Sequence, residues 1–266
     1  MRTIEDFWHD FHIHAARAVQ PGVPVLFRGE PEAGFPLIPS IARGTKHGTF
    51  ADISSLEDLL LNEFRLAAAP IIESEPTNEI DWVFLAQHYG VPTRLLDWST
   101  NPMVALFFAV ENHDEKDAII YLVDHQFTDQ IELVDFRNAS IKKDKQQGEL
   151  PIFALQNEQG KLLFVRPKYT DRRYLNQRSI FSCPADPFIP LELQGIRRLT
   201  IEAAWKPVLR QTLRTFGVVH SFIYPGLEGT AKEIKSAHFD PVKAGRRQMQ
   251  SFVMELDLPK PPSGLD

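Results

Sequence analysis

Two short stretches concentrate side chains able to hold or turn over a ligand. The longer is Gln87-His88-Tyr89-Gly90-Val91-Pro92-Thr93-Arg94-Leu95-Leu96-Asp97-Trp98-Ser99-Thr100-Asn101-Pro102. It runs into Asn101-Pro102, which reads as an N-cap with proline at the first helical position. The free backbone N–H groups and positive dipole end of such a helix favour an anion such as phosphate, so a pocket wall is expected here. His88, Arg94 and Asp97 could equally satisfy one another and cap the helix. The shorter stretch is Phe27-Arg28-Gly29-Glu30, an arginine at a strand end beside a glycine that lets backbone come close to a ligand. A guanidinium fork suits bidentate phosphate recognition; its structural alternative is a buried Arg28 paired with Glu30 or Asp97.

Periodicity predicts the elements that must position these groups. Thr3 and Asp6 make a capping arrangement, and Ile4, Phe7, Trp8, Phe11 and Ala15 share one face of an amphipathic helix over 3–19. Val23 to Phe27 is a β-prone run ending at Arg28-Gly29, and the Pro-rich 31–39 that follows is a shaped loop. Ser54 with Glu57 reads as a capping box for a helix that buries Leu56, Leu59, Leu60, Phe64 and Ala67. Further helices are predicted over 79–89, stopped by Gly90-Val91-Pro92, and from Pro102 through a deeply buried 103–110. Residues 118–123 and 162–165 read as strands, 201–216 as a helix closed by Gly217, and 227–239 as a last helix. The sum is an α+β fold with a mainly β centre flanked by helices.

At 266 residues and 43% hydrophobic content the chain can bury one large core, read here as a domain over 1–257 with a flexible tail at 258–266. Cys183 is the one cysteine, which excludes an intrachain disulfide and paired-cysteine zinc patterns and points to a reducing cytoplasm. The first residues lack the apolar stretch of a signal peptide, and no run approaches about 18 apolar residues, so no membrane is expected. A net charge of -6 gives no general attraction to a phosphate backbone, although Arg172, Arg173 and Arg178 could form a local basic patch. Nucleic acid therefore stays open as a substrate. His9, His12 and His14 read as surface groups, Lys142-Lys143-Asp144-Lys145 as a solvated loop, and Cys183 as a buried thiol. No metal is expected, because no ligand spacing supports one.

Together the two stretches resemble the FRG-domain family, whose Phe-Arg-Gly stands here at Phe27 to Gly29. Members also share an extended block of the form QHYG-PTRLLDWT-NP--ALFFA, which stands at Gln87 to Ala109 with Ser99 in the Thr position. An arginine followed by Gln-x-Gly-x-Phe aligns with Arg173 and then Gln177 to Phe181, with Ser179 in place of the glycine. Tyr224 to Gly229 echoes a Phe-Pro-x-Leu-x-Gly element, so the resemblance spans roughly residues 20 to 240.

In order and spacing the chain also looks similar, more distantly, to ADP-ribosyltransferases of the Arg-Ser-Glu class. The counterparts are Arg28, Ser99-Thr100 ahead of residues 104–108, and Gln177 ahead of Ile180-Phe181. That resemblance implies an ADP-ribosyltransferase-like fold with a central, mainly antiparallel sheet in one piece or split, and NAD as substrate. Breaking the nicotinamide–ribose bond passes through an oxocarbenium-like state, as glycoside cleavage does. Under the resemblance Arg28 holds the NAD diphosphate or the ribose beside it, Ser99 braces the strand or the nicotinamide ribose, and Trp82, Tyr89 or Trp98 stacks on a ring. His88 and Asp97 orient, and Arg94, Thr100 and Arg173 complete the binding set. Gln177 departs from the pattern, since an amide cannot act as a base, and Glu30 becomes the candidate for the missing carboxylate. Three outcomes follow: transfer of ADP-ribose to an unidentified protein or nucleic-acid acceptor, NAD hydrolysis, or binding without turnover. The first two describe a toxin or phage-defence effector. The third describes a non-catalytic ligand- or partner-binding module of a defence or regulatory system.

Overall fold

The sheet is built from the β-prone, apolar runs. In the computed structural model its strands are β1 (Leu26–Glu30), β2 (Leu96–Ser99), β3 (Ala118–Val123), β4 (Ile131–Asp135), β5 (Leu162–Arg166), β6 (Ser179–Cys183) and β7 (Arg197–Ile201). The structure describes residues 2–17, 25–44, 53–72, 75–76, 79–124, 131–135, 162–168, 172–184, 186–192 and 196–239. The strand order is β4-β5-β6-β2-β1-β3-β7, with β4 parallel to β5 at one edge and the other six strands antiparallel. Helices α1 (Ile4–Arg17), α2 (Ser40–Gly44), α3 (Ile53–Ala68), α4 (Glu79–His88), α5 (Pro102–Val110), α6 (Arg172–Gln177), α7 (Lys206–Thr215), α8 (His220–Ile223) and α9 (Leu227–Phe239) flank it. The α+β class with an antiparallel sheet is therefore present, in a single domain. Residues 142–145 and the tail 258–266 lie outside the described residues.

Several sequence signals act as their chemistry requires. At α1, the Asp6 carboxylate accepts from the Thr3 N–H at 2.8 Å while the Asp6 N–H donates to Thr3 Oγ1 at 3.2 Å, a reciprocal cap. At α5, Asn101 Oδ1 accepts from the Met103 N–H at 3.0 Å and Pro102 opens the helix, whose Val104, Ala105, Leu106, Phe107, Ala109 and Val110 are all buried.

Other expectations are corrected. Strand β1 runs three residues further than the Val23–Phe27 run, because Arg28, Gly29 and Glu30 pair in register with Tyr121, Ile120 and Ile119. Helix α3 already begins at Ile53, one residue before Ser54, and Glu57 lies 1% exposed and pairs with Arg94, since a buried carboxylate needs a charged partner. Ile201 ends a strand rather than opening a helix, because Leu199 and Ile201 alternate inward at period two and α7 starts only at Lys206. Gln177 closes the six-residue helix α6, two residues ahead of β6.

Register places two cores on the same sheet face. Phe27 pairs with Ser99, and Ser99 with Ser179, so these three side chains point one way, as do Asp97 and Phe181. Over one half of this face α1, α5 and α7 pack on Phe27, Ile120, Leu122 and Ile201. Over the other half α3, α4 and α6 pack on Leu163, Val165, Phe181 and Cys183. The opposite face carries Leu26, Leu96, Trp98, Tyr121, Phe164 and Ile180, covered by Leu37 and Leu191 from loops. Between the two helical groups the upward-facing sheet residues turn polar: Asp97, Ser99 and Ser179. There β1 and β2 pair at a single position, Phe27 with Ser99, so the sheet stays in one piece but loosens at its centre.

Candidate functional site

A cleft of about 270 Å³ occupies that gap. Its floor is Ser99 and Ser179, one wall is Phe108 of α5 with Glu111 just past its end, and the facing wall is Arg173 and Gln177 of α6. Arg28, Glu30, Gln87 and Asp97 close one end.

Arg28 bridges the loosened junction. Its Nη1 donates to the Asp97 carbonyl at 2.6 Å, taking up an oxygen that a continuous β1–β2 ladder would have used. Its Nε and Nη2 donate to Glu30 Oε1 at 2.9 and 2.5 Å, and Arg43 Nη2 reaches the same oxygen at 3.2 Å. Glu30 is 4% exposed, so two guanidinium groups hold its charge inside the protein.

The Asp97 carboxylate faces the cleft. Gln87 Nε2 donates to its Oδ2 at 2.8 Å, and Thr93 Oγ1 donates to Gln87 Oε1 at 2.6 Å, which fixes the amide orientation. Arg28 Nη1 lies 3.9 Å from the same Oδ2. Desolvation pushes the Asp97 carboxyl above its ordinary 3.8, against the opposing pull of Arg28, Gln87 and Arg173. Its side chain is 57% exposed by surface area, because one side opens to the cleft while protein encloses the rest.

Glu111 is a second carboxyl in the wall. Tyr224 donates its hydroxyl to Oε2 at 3.3 Å, and His220 Nε2 lies 3.6 Å from Oε1. Burial pushes Glu111 above its ordinary 4.5, and the same burial pushes the Tyr224 phenol upward. Arg173 spans the cleft mouth: Nη1 donates to the His88 carbonyl at 2.5 Å, and the guanidinium lies 4.9 Å from the centre of the Tyr224 ring.

Ser99 and Gln177 meet but are partly committed. Ser99 Oγ donates to the Gln177 carbonyl at 2.6 Å and accepts from the Asn101 N–H at 2.9 Å, so the hydroxyl braces β2 against α6. Gln177 Nε2 donates to the Ile223 carbonyl at 2.9 Å. The turn after it carries Arg178 at φ 51, a left-handed conformation, and the Arg178 carbonyl accepts from the Thr100 N–H at 3.2 Å.

The structure thus brings together Arg28, Glu30, Asp97, Ser99, Arg173 and Gln177. Trp98 borders the cleft, yet it is 3% exposed, with its indole N–H donating to Ser182 Oγ at 2.8 Å on the far face of the sheet. Five other candidates stand apart from it. Arg94 is fully buried, its Nε donating to Glu57 at 2.5 Å. His88 packs its ring on Tyr89 and Tyr174, Tyr89 is 67% exposed against Phe64, and Thr100 contributes its backbone to the turn. Trp82 is buried against Phe64. The aromatic surface the cleft offers is Phe108. Phe108, Glu111 and Asn112 escaped the sequence reading: Phe108 sat in an apolar helical run, and Glu111 was simply the first polar residue after it.

This arrangement gives physical roles to the residues of the block 87–109. Thr93 and Arg94 are structural, Gln87 orients Asp97, and Asp97 and Ser99 face the gap. Residues 23–118 match the FRG domain family. The match takes in both stretches, Phe27–Gly29 and Gln87–Ala109, while α6 with Arg173 and Gln177 and the Tyr224–Gly229 element lie beyond it. No curated protein and no solved structure matches the chain.

The glycine of the FRG motif packs against a helix. A Cβ on Gly29 would fall 1.9 Å from the Ala105 carbonyl oxygen and 2.7 Å from the Ala109 nitrogen, so α5 lies directly on β1. Among the described residues no group of three or more His, Cys, Asp or Glu side chains could hold a metal, and no helix is long and apolar enough to cross a membrane.

Proposed function

We propose that the cleft binds the nicotinamide riboside end of NAD and promotes cleavage of its glycosidic bond, with the ADP-ribosyl group passing to water or to an acceptor hydroxyl. The observation that carries this reading is the Asp97 carboxylate, held by Gln87, in one cleft with Ser99, Arg173 and Gln177. Positive charge develops on the ribose as nicotinamide leaves with the bonding electron pair, and a fixed carboxylate beside it stabilises that charge. Asp97 can then take the proton of the attacking hydroxyl, the task an amide at Gln177 cannot perform. Phe108 supplies an apolar face for the nicotinamide ring.

A second reading, a non-catalytic binding module, is favoured by one specific observation. Arg28 directs Nε, Nη1 and Nη2 to groups of the protein itself, as a structural arginine does. Calorimetric titration of NAD into the wild type and Asp97→Asn, with nicotinamide release followed in parallel, separates the two. Under the enzymatic reading both proteins bind NAD, and Asp97→Asn slows nicotinamide release by about a hundredfold or more. The wild-type rate then falls as pH drops through the raised Asp97 value, because protonation removes the base. Binding without release establishes the binding module, and no binding at millimolar NAD sinks both forms of the NAD reading.

A further inference from the structure

A second cleft of about 490 Å³ opens beside the first, and Glu111 with Asn112 lines both. Its other walls come from α7, α8 and α9 and present Arg210, His220, Lys232 and Lys235. Arg210 is held rigidly: it donates to both oxygens of Asp114 at 2.5 and 2.7 Å and to the Val110 carbonyl at 2.6 Å. That pair cancels the Asp114 charge, and the other acid of the wall, Glu111, is engaged by the Tyr224 hydroxyl and lies 3.6 Å from His220 Nε2. Lys232 reaches Glu228 at 2.9 Å, an exposed pair of adjacent helical turns that water screens. Lys235 stands one helical turn from Lys232 and lines the same cleft. A chain of net charge -6 therefore presents a concave surface with an excess of cationic side chains, and concavity concentrates such a field on an anion.

We propose that this second cleft is a phosphate-binding subsite that receives the diphosphate of the dinucleotide whose nicotinamide riboside end lies in the first cleft. The proposal rests on the NAD reading above and adds where the rest of the ligand goes. At about 270 Å³ the first cleft falls below the range of roughly 300–1,000 Å³ typical of sites that enclose a drug-sized ligand, so a dinucleotide must extend beyond it. The shared wall at Glu111 and Asn112 makes the second cleft the adjoining space.

The test uses the full chain, with NAD, ADP and inorganic pyrophosphate as calorimetric probes of the wild type and of the double variant Lys232→Gln/Lys235→Gln. All three ligands are expected to bind the wild type, more weakly as salt rises, and the double variant should weaken each by about tenfold at unchanged Tm. NAD binding that ignores the lysine substitutions overturns the subsite, as does failure of ADP and pyrophosphate to bind the wild type. Lysine-dependent ADP binding without any NAD binding leaves the subsite standing and sinks the NAD reading of the first cleft.

Discussion

Arg28 and Arg94 look alike as sequence signals, yet their surroundings separate them. Arg28 sits at the cleft end, where it joins Glu30 to the Asp97 carbonyl and holds the loosened β1–β2 junction. Replacing it would release the buried Glu30 carboxylate, so loss of ligand binding in an Arg28 variant would mix folding with recognition. Asp97 and the lysines of the second cleft are cleaner probes. Arg94 has no exposure to a ligand: its side chain and that of Glu57 are both 1% exposed, and the Arg94 backbone N–H also donates to Glu57 at 3.1 Å. Arg94→Met should cost about 3–5 kcal/mol in urea unfolding, because it strands a buried carboxylate. Adding Glu57→Leu should recover much of that loss, and a single variant that unfolds at the wild-type midpoint would show that the pair carries no such burden. Cys183 belongs with these internal groups, since burial pushes its thiol up to about 12 and it is fully buried.

At the scale of elements, α5 and β1 are the pair on which the site depends. Helix α5 contributes Phe108 and, at its C-cap, Glu111 to the cleft, β1 contributes Arg28 and Glu30, and the missing Cβ of Gly29 sets their separation. Gly29→Ala should lose about 3 kcal/mol or more of stability, since a methyl group would meet the backbone of Ala105 and Ala109 rather than a side chain that can swing away. Denaturant midpoints would show this directly, and a Gly29→Ala protein of wild-type stability would mean that α5 can shift outward freely. The last element uses the same device. A Cβ on Gly229 would lie 1.8 Å from the Tyr224 carbonyl oxygen, so α9 closes on α8 and brings Lys232 within 5.1 Å of the Tyr224 ring centre. Both glycines serve close backbone packing, although the sequence alone suggested that Gly29 makes room for a ligand.

Across the whole molecule, the residues that match the FRG family do not contain a complete sheet or a complete cleft. Strand β1 lies between β2 and β3, and β2 lies between β1 and β6, so both central strands of the segment need partners wholly or largely outside 23–118. Arg173, Gln177 and Ser179 also lie outside it. A fragment of residues 23–118 is therefore expected to show no cooperative thermal unfolding and no NAD binding, whereas the full chain unfolds in one transition. A fragment that melted cooperatively would show that the segment is a domain in its own right.

The sequence by itself determined what depends on near neighbours along the chain. The Thr3–Asp6 and Asn101–Pro102 caps, the buried run of α5 and most helix spans follow from contacts within one or two turns, which a local pattern encodes. It also marked out the Arg28–Glu30 and Gln87–Asn101 stretches as rich in polar groups. Tertiary structure alone decided how those groups divide. Thr93, Arg94 and Asp97 stand within five residues, yet Arg94 is drawn inward by Glu57, 37 positions away, while Asp97 faces a gap between helices. Glu111 and Lys235 carry no local signature: Glu111, with Asn112, forms the wall that the two clefts share, and Lys235 lines the second cleft. That wall exists only once α5, α6 and α9 have packed on the sheet, and burial and charge balance are properties of that packing rather than of any short stretch of chain.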